Sequence, residues 1–438
     1  MLSAYLKTYG CQMNEYDSEV MAGLLKENGY GLVDNPEKAD VILLNTCYVR
    51  EKVKHKIYSK LGELEKLKEK NPHIILGLCG CLVQREPKET IQRAPFLDFL
   101  LGTFSFYKLS EVINNIRKNH KMVINVEENS NGLPKGLPKL RRKKFSAFVP
   151  IIRGCNNFCS YCNVPYVRGR EKSRAPEDIL KEIDELSSHG YKEVTLLGQN
   201  VNSYGKDLKE KIDFADILSL INQIKGIKRI RFTTSHPKDL NSKLIRSMDS
   251  LDKVCEHLHL PLQSGSDKIL QQMRRGYTRS MYRDLVNETR KIVPGISLTT
   301  DIIVGFPGEE ERDFQDTLNL VKEIRFDGAF TFIYSCLKGT KAAELKHQIP
   351  EEVKKERLRR LIEIQKKINQ ENNETLVEKE FSVLVEGVSK KNESELQGRT
   401  RHNKIVVFKG KRDLIGKFVL VKVTEGGCWA LKGDRIIC

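Results

Sequence analysis

Cys155, Cys159 and Cys162 stand in the run Arg153-Gly154-Cys155-Asn156-Asn157-Phe158-Cys159-Ser160-Tyr161-Cys162. This C-x3-C-x2-C spacing obliges one short loop to turn three sulfurs toward a common centre. Cysteine sulfur is the ligand on which iron–sulfur cubes are built, and three thiolates hold three corners of a [4Fe–4S] cube. The fourth iron is then open to another molecule, so the cube can do chemistry as well as store electrons. Phe158 and Tyr161 interleave the ligands and would shield the cube from water. The alternative is zinc, which needs a fourth protein ligand. No other Cys or His lies within twenty residues of the triplet.

Eleven cysteines occur in 438 residues. No apolar run reaches the roughly 18 residues of a membrane span, and the N-terminus lacks the order of a signal peptide. A cytoplasmic location is therefore expected. In that reducing compartment the cysteines read as metal ligands or buried thiols rather than disulfides. Net charge is +17, from 75 basic and 58 acidic residues. That balance suits a polyanion, nucleic acid first, or a solvated lysine-rich surface.

Periodicity divides the chain. Ala4 to Lys7, Val41 to Asn45, Ile74 to Leu78 and Phe96 to Leu101 read as strands. Helical patterns at Glu15 to Asn28, Arg50 to Lys70 and Phe106 to Arg117 separate or follow them. This predicts an N-terminal parallel α/β sandwich over residues 1–120. Residues 121–144 read as a linker with a basic end, Arg141 to Lys144, solvated or near an RNA path.

From 145 to 372 a second α/β series begins. Its strands are expected at Ala147 to Ile152, Glu193 to Leu197, Ile230 to Thr233, His257 to Leu260, Ser297 to Val304 and Gly328 to Ile333. Helices at Pro176 to Ser188, Asp213 to Ile224 and Glu310 to Ile324 alternate with them. Six such units predict a partial (β/α)6 barrel with its chemistry at the C-terminal strand ends. The triplet lies just after the first strand. Glu351 to Gln370 reads as a charged connecting helix. Residues 373–438, with Phe381 to Val385, Ile405 to Phe408 and Lys417 to Val423, predict a small OB-like all-β barrel.

A second set of three cysteines is scattered over strand ends. Cys11 follows the first strand in Gly10-Cys11-Gln12-Met13-Asn14, Cys47 follows the second and Cys81 the third. Adjacent parallel strands bring their C-terminal ends to one edge, where three thiolates can meet. Taken singly, each would read as a buried thiol. Cys79 competes with Cys81, since positions i and i+2 of a strand share a face. The flanking Gly80 and the turn position favour Cys81. Cys255, Cys336, Cys428 and Cys438 have no partner spacing.

These motifs resemble the radical S-adenosylmethionine methylthiotransferase family over essentially the whole chain. The likeness is carried by Thr8 to Asn14, Asn45-Thr46-Cys47, Gly80-Cys81, Arg153 to Cys162 and Val164 to Gly169. It continues through Leu197 to Asn202, Pro261 to Gly265 and Thr300 to Glu309. The last region resembles that family's RNA-binding TRAM domain. Thr8 to Asn14 is most similar to the branch modifying isopentenyladenosine in tRNA. The departures are Tyr48, where Ser is common, and Leu337, where Arg is usual.

The resemblance implies an enzyme with two [4Fe–4S] clusters and S-adenosyl-L-methionine. The cube on Cys155, Cys159 and Cys162 would bind that cofactor and cleave it to a 5′-deoxyadenosyl radical. The cube on Cys11, Cys47 and Cys81 would present a methylthio group. The implied product is 2-methylthio-N6-isopentenyladenosine beside the anticodon. Sister activities on threonylcarbamoyl-adenosine or on a ribosomal-protein aspartate are the alternatives, with a non-catalytic iron–sulfur RNA-binding regulator outside the class.

Gln199 and Asn200 would meet the methionine part of the cofactor, and Gln263 and Ser264 its ribose. Gly305 to Glu309 would give backbone room for adenine; the run lacks the Lys-Ser/Thr ending of a phosphate loop. Turn chemistry and capping are the competing readings. His236 is a strand-end candidate for orienting the cofactor, while His257 and His259 read as packing residues. Arg401 and Lys404 are candidates for phosphate contact. Implied partners are tRNA, a reducing electron donor such as flavodoxin or ferredoxin, and sulfur or cluster supply proteins, with no membrane and a monomer expected.

Overall fold

The computed structural model describes residues 2–48, 51–127 and 134–436. Its first sheet joins β1 (Leu2–Thr8), β2 (Tyr30–Leu32), β3 (Val41–Thr46), β4 (Ile75–Gly80), β5 (Phe99–Leu101) and β6 (Val123–Asn125). All pairings are parallel, in the order β2-β1-β3-β4-β5-β6. Central strands of such a sheet are covered on both faces and read as continuous apolar runs; every residue of β3 and β4 is buried. One face packs Val20, Met21 and Leu25 of helix α1 (Gln12–Glu27), with Val112 and Ile113 of the helix Leu109–Asn119. The other packs Ile57, Leu61 and Leu64 of the helix Glu51–Lys70.

The expected strands are present, while β2 and β6 were not foreseen. Each has three residues, too few for a period to show. β6 pairs with β5, so the first sheet reaches Asn125, into the stretch read as a linker. Part of that stretch, 128–133, and Arg50 lie outside the described residues. The basic end is not free: Arg141 is 8% exposed and bonds Glu19 at 2.8 Å and Glu182 at 2.6 Å.

The core barrel uses β7 (Ser146–Pro150), β10 (Glu193–Leu197), β11 (Arg229–Thr233), β12 (His257–His259), β13 (Ser297–Val304) and β14 (Gly328–Ile333). Between the first two, β8 (Ile152–Arg153) and β9 (Lys172–Ser173) form a small antiparallel pair that brackets the triplet loop. Ile152, read as the end of the first strand, belongs to that pair. The six barrel strands make two parallel three-stranded sheets, β11-β10-β7 and β12-β13-β14. A bridge from Ile230 to Val254 joins them. β7 and β14 are the edges of this partial barrel. Alternate side chains point out to the helices, including Val194, Ile230, Leu258, Leu298 and Ile302 of the main core. The remaining positions face the lumen.

The helix Glu351–Glu374 packs along β14 and leads into a closed antiparallel and mixed barrel. It is built from β15 (Glu380–Val388), β16 (Glu395–Arg399), β17 (Ile405–Lys409), β18 (Phe418–Gly426) and β19 (Leu431–Arg435), around Val383, Val406, Val421 and Leu431. This barrel docks on the N-terminal strand ends of the core. Arg231 donates to Glu193 at 2.9 Å and to the carbonyls of Thr400 and Arg401 at 2.7 and 2.9 Å. Arg229 donates to the Arg399 carbonyl at 2.8 Å.

The same interface corrects the expectation for Arg401 and Lys404. Arg401 pairs with Glu256 at 2.6 Å, and Lys404 with Asp327 at 2.7 Å. Both charges are spent on holding the two barrels together. Arg231→Ala would leave Glu193 and two carbonyls without their donor, a loss of about 3–5 kcal/mol. Limited proteolysis in urea is expected to release the C-terminal barrel at a lower denaturant concentration than in the parent.

Candidate active site

The triplet loop leaves β8 through Gly154, whose φ is +78°. A Cβ there would lie 2.0 Å from the Arg170 carbonyl oxygen, so only glycine fits. The Gly154 N–H donates to Gln199 Oε1 at 2.5 Å, and the Cys155 N–H to the Gly169 carbonyl at 3.1 Å. Ser160 ties the far side to Met273 and Gln272 through bonds of 3.0 and 2.8 Å. Each sulfur receives at least one N–H: Asn157 Nδ2 to Cys155 at 3.5 Å, Arg275 Nη1 to Cys159 at 3.3 Å, and Val164 N to Cys162 at 3.4 Å. Donors aimed at sulfur suit thiolates, and hydrogen bonds to cluster sulfur tune its potential.

Burial pushes the Cys155 thiol up to about 11. Burial and the neighbouring Cys159 push Cys162 up to about 12. Metal binding deprotonates such ligands and releases their protons. Among the described residues, no three His, Cys, Asp or Glu side chains are grouped as ligands of one ion. A zinc ion asks for ligands within about 2.3 Å of a single point. A cube instead spreads its thiolates, each on its own iron. Three cysteine donors are the kind of set on which iron–sulfur cubes are built.

Beyond the triplet, buried polar atoms without partners sit at successive strand ends. They are Asn200 Oδ1 after β10, Thr234 Oγ1, Ser235 Oγ and His236 Nε2 after β11, and Gln263 Oε1 after β12. Native interiors rarely leave such atoms unpaired, so this run of orphans fits a polar ligand. His236 is neutral, its pKa driven down to about 2 by burial and the nearby Arg275 cation. Its Nδ1 accepts from Lys238 N at 3.2 Å, leaving Nε2 as the orphan.

Other expected contacts are occupied internally. Ser264 Oγ accepts from Ser266 N at 3.2 Å and lies 3.3 Å from Thr317 Oγ1, which is turn chemistry. The Glu309 carboxylate accepts the N–H groups of Gly305 and Phe306 and lies 3.6 Å from Arg357, closing its own loop. At Gly305 (φ +72°) the missing Cβ makes room for the Lys354 stem, which it would meet at 2.3 Å. Gln199 steadies Gly154, as above. His257 and His259 share Thr299 Oγ1 at 2.9 and 3.0 Å in the lumen. Leu337 is buried, 6% exposed, where a polar contact was in question. Tyr48 is buried with its hydroxyl bonded to Glu86.

In the N-terminal unit, Cys11 is the N-cap of α1, Cys47 follows β3, and Cys81 opens the short helix Cys81–Arg85. A Cβ on Gly10 (φ +133°) would lie 2.9 Å from Cys47 Cβ, which places the first two turns in contact. Cys81 feels the Cys11 charge and accepts a hydrogen bond from Arg168. Burial raises the Cys81 thiol, and Arg168 opposes that rise. Cys79 does not share its face. Gly80 turns to φ +98° and breaks the strand, so Cys79 packs in the core beneath α1 and Cys81 in the opposite one. Cys255 is buried and Cys336 exposed; Cys438 lies outside the described residues.

Asp17, which motif reading did not single out, joins the two cysteine sets through Arg153 and Arg168 of the quoted motifs. Asp17 of α1 is bonded by Arg168 Nη1 at 2.5 Å and by Arg153 Nη2 at 3.2 Å. Arg168 Nη2 also donates to Asn14 Oδ1 at 3.2 Å, and Cys11 Sγ lies 3.4 Å from that same oxygen. Arg153 and Arg168 flank the triplet loop, whereas Cys11 caps α1 and Asn14 and Asp17 lie in its first two turns. Arg275, only 5% exposed, links Cys159 to Tyr161, Tyr277 and the Pro261 carbonyl.

Three family models match the chain. They are UPF0004, described as an uncharacterized protein family, over residues 3–102; the Radical SAM superfamily over residues 149–321; and the TRAM domain over residues 374–435. The tRNA-2-methylthio-N(6)-dimethylallyladenosine synthases of Moorella thermoacetica and Carboxydothermus hydrogenoformans are each 52% identical over 98% of this chain, and 97% and 98% of theirs. Among solved structures, the radical S-adenosylmethionine methyltransferase TsrM from Kitasatospora setae, with cobalamin and a [4Fe-4S] cluster bound, superposes with a TM-score of 0.56. It is 11% identical, covering 76% of this chain and 72% of that one, a likeness of fold alone.

Two outcomes are expected from this geometry. Asp17→Ala leaves two buried guanidinium groups unpaired and should cost about 3–5 kcal/mol, read by chemical denaturation. Burial raises Glu309 from 4.5 to about 7. A carboxyl whose folded pKa is raised favours folding while protonated, and that contribution fades as pH climbs from 4.5 to 7. The urea midpoint should therefore fall over that window, and Glu309→Gln should flatten the dependence.

Proposed function

The chain belongs to the tRNA-2-methylthio-N6-dimethylallyladenosine synthases of the radical S-adenosylmethionine superfamily, and we propose that it works with two [4Fe–4S] clusters. Its reaction places a methylthio group on carbon 2 of N6-isopentenyladenosine in tRNA. Cys155, Cys159 and Cys162 would hold one cluster, and Cys11, Cys47 and Cys81 the other. Bound there, the clusters would supply the electron that cleaves S-adenosylmethionine and the sulfur that is transferred. The observation that carries this reading is the pair of three-cysteine sets at neighbouring strand mouths, tied together through Asp17.

The protein's own part is to bind, orient and exclude water. Gln199 and the Gly169 carbonyl fix the start of the triplet loop, while Ser160 fixes its end. Arg275 directs a positive charge at Cys159. Asn200, Thr234, Ser235, neutral His236 and Gln263 offer unpaired polar atoms to the methionine and ribose groups of the cofactor. Gly305 to Glu309 supplies backbone more than side chain. Keeping His236 uncharged avoids adding a cation beside the sulfonium.

The C-terminal barrel would hold tRNA, supported by its TRAM match and the net charge of +17. A reducing donor such as flavodoxin or ferredoxin and a sulfur or cluster supply protein complete the set of partners. Among the described residues no helix is long and apolar enough to cross a membrane, and a cytoplasmic monomer accords with a tRNA substrate.

The test is a mass-spectrometric comparison of tRNA nucleosides from cells with and without this chain. Loss of 2-methylthio-isopentenyladenosine, with accumulation of isopentenyladenosine, is expected on deletion. The parent gene should restore it and Cys155→Ala should not. An unchanged nucleoside profile in the deletion strain contradicts the assignment.

A further inference from the structure

The barrel lumen opens sideways at β14, one of its two edge strands. On β14, Ala329 and Ile333 pack outward on the main core. Phe330 lies on the opposite face and is 61% exposed. An inward position on a barrel strand normally buries a large aromatic ring. This one is bordered by polar groups rather than by core. Asp301 is its register partner on β13. The His259 imidazole stands edge-on to the Phe330 ring at 5.8 Å and 77°. His259 Nε2 lies 3.5 Å from Asp301 Oδ2, and His259 Nδ1 lies 3.0 Å from Thr299 Oγ1. One layer nearer the strand mouths, Ile303 and Phe332 are paired on the same face. Gln263, with its orphan Oε1, bonds the Asp301 carbonyl and the Ile303 N–H just above.

The geometry points to Phe330 as the stacking platform for the target purine of the RNA, with Asp301 and His259 at its rim. The inference rests on the tRNA reading above and names the part of the lumen that would receive the base. Three observations carry it. A flat aromatic face left in water suits a nucleobase, which any exposed aromatic can stack. Enzymes that react at a base take it out of the nucleic-acid stack, and a side-opened lumen gives an extruded base a path in. Asp301 and His259 offer a hydrogen-bonding edge beside the ring, while Ile303 and Phe332 supply an apolar wall for a dimethylallyl substituent. The orphan-bearing Gln263 end pairs with β13 beside Asp301, the register partner of Phe330, so a base stacked there lies next to one of the strand ends offered to the cofactor.

The full-length reconstituted protein can be tested with two fluorescent anticodon stem-loops. One carries isopentenyladenosine at the target position and the other is abasic there. The parent is expected to bind the first more tightly on the order of tenfold, the effect of one stacked base. In Phe330→Ala that preference should vanish with the affinity for the abasic RNA unchanged. Phe330→Trp should keep it, and Leu220→Ala, at an exposed apolar position elsewhere, should keep it too. Preference for the base surviving in Phe330→Ala overturns the inference, as does its equal loss in Phe330→Trp. If the parent itself forms no methylthiolated product, the functional reading fails instead, which product analysis of the same samples distinguishes.

Discussion

Asp17 is a carboxylate buried at 3% side-chain exposure between two guanidinium groups from another part of the chain. Taking such ions out of water costs several kcal/mol each, and only close, hydrogen-bonded pairing returns it. The pairing is supplied by Arg153 and Arg168, the residues on either side of the triplet loop. Burial works against the Arg168 cation, but Asp17 and the Cys81 and Cys11 sulfurs raise its pKa well above its ordinary value. One guanidinium therefore answers to a carboxylate and to a cysteine set at once. That contact helps to fix the relative placement of the two strand mouths.

Much of this was legible in the residues, because the elements concerned have clean periods. Glu193–Leu197, Ser297–Val304 and Gly328–Ile333 begin and end where their patterns do. The triplet, Cys11, Cys47 and Cys81 are local or strand-end features, and a parallel sheet brings strand ends together whatever its details. Asp17 was not legible. Its partners are 136 and 151 residues away, and nothing in α1 marks one acid among several as buried. Arg401 and Lys404 were misjudged for the same reason, since a basic loop looks alike whether it meets phosphate or Glu256. Cys79 and Cys81 needed the backbone turn at Gly80, which alternation along a strand does not anticipate.

The core barrel thus has three differently used openings. Its N-terminal end is plugged by the C-terminal barrel, through Arg229, Arg231 and Arg401. Its C-terminal end carries the cysteine loop and the unpaired polar atoms. Its side, along β14, exposes Phe330.

The central claim is that two cysteine sets hold two separate clusters. Iron and acid-labile sulfide should be counted after anaerobic reconstitution of the parent and of two triple alanine variants, one for each set. About eight irons in the parent and about four in each variant are expected, one cube being lost each time. About four irons in the parent, falling to none when the triplet alone is removed, would contradict it.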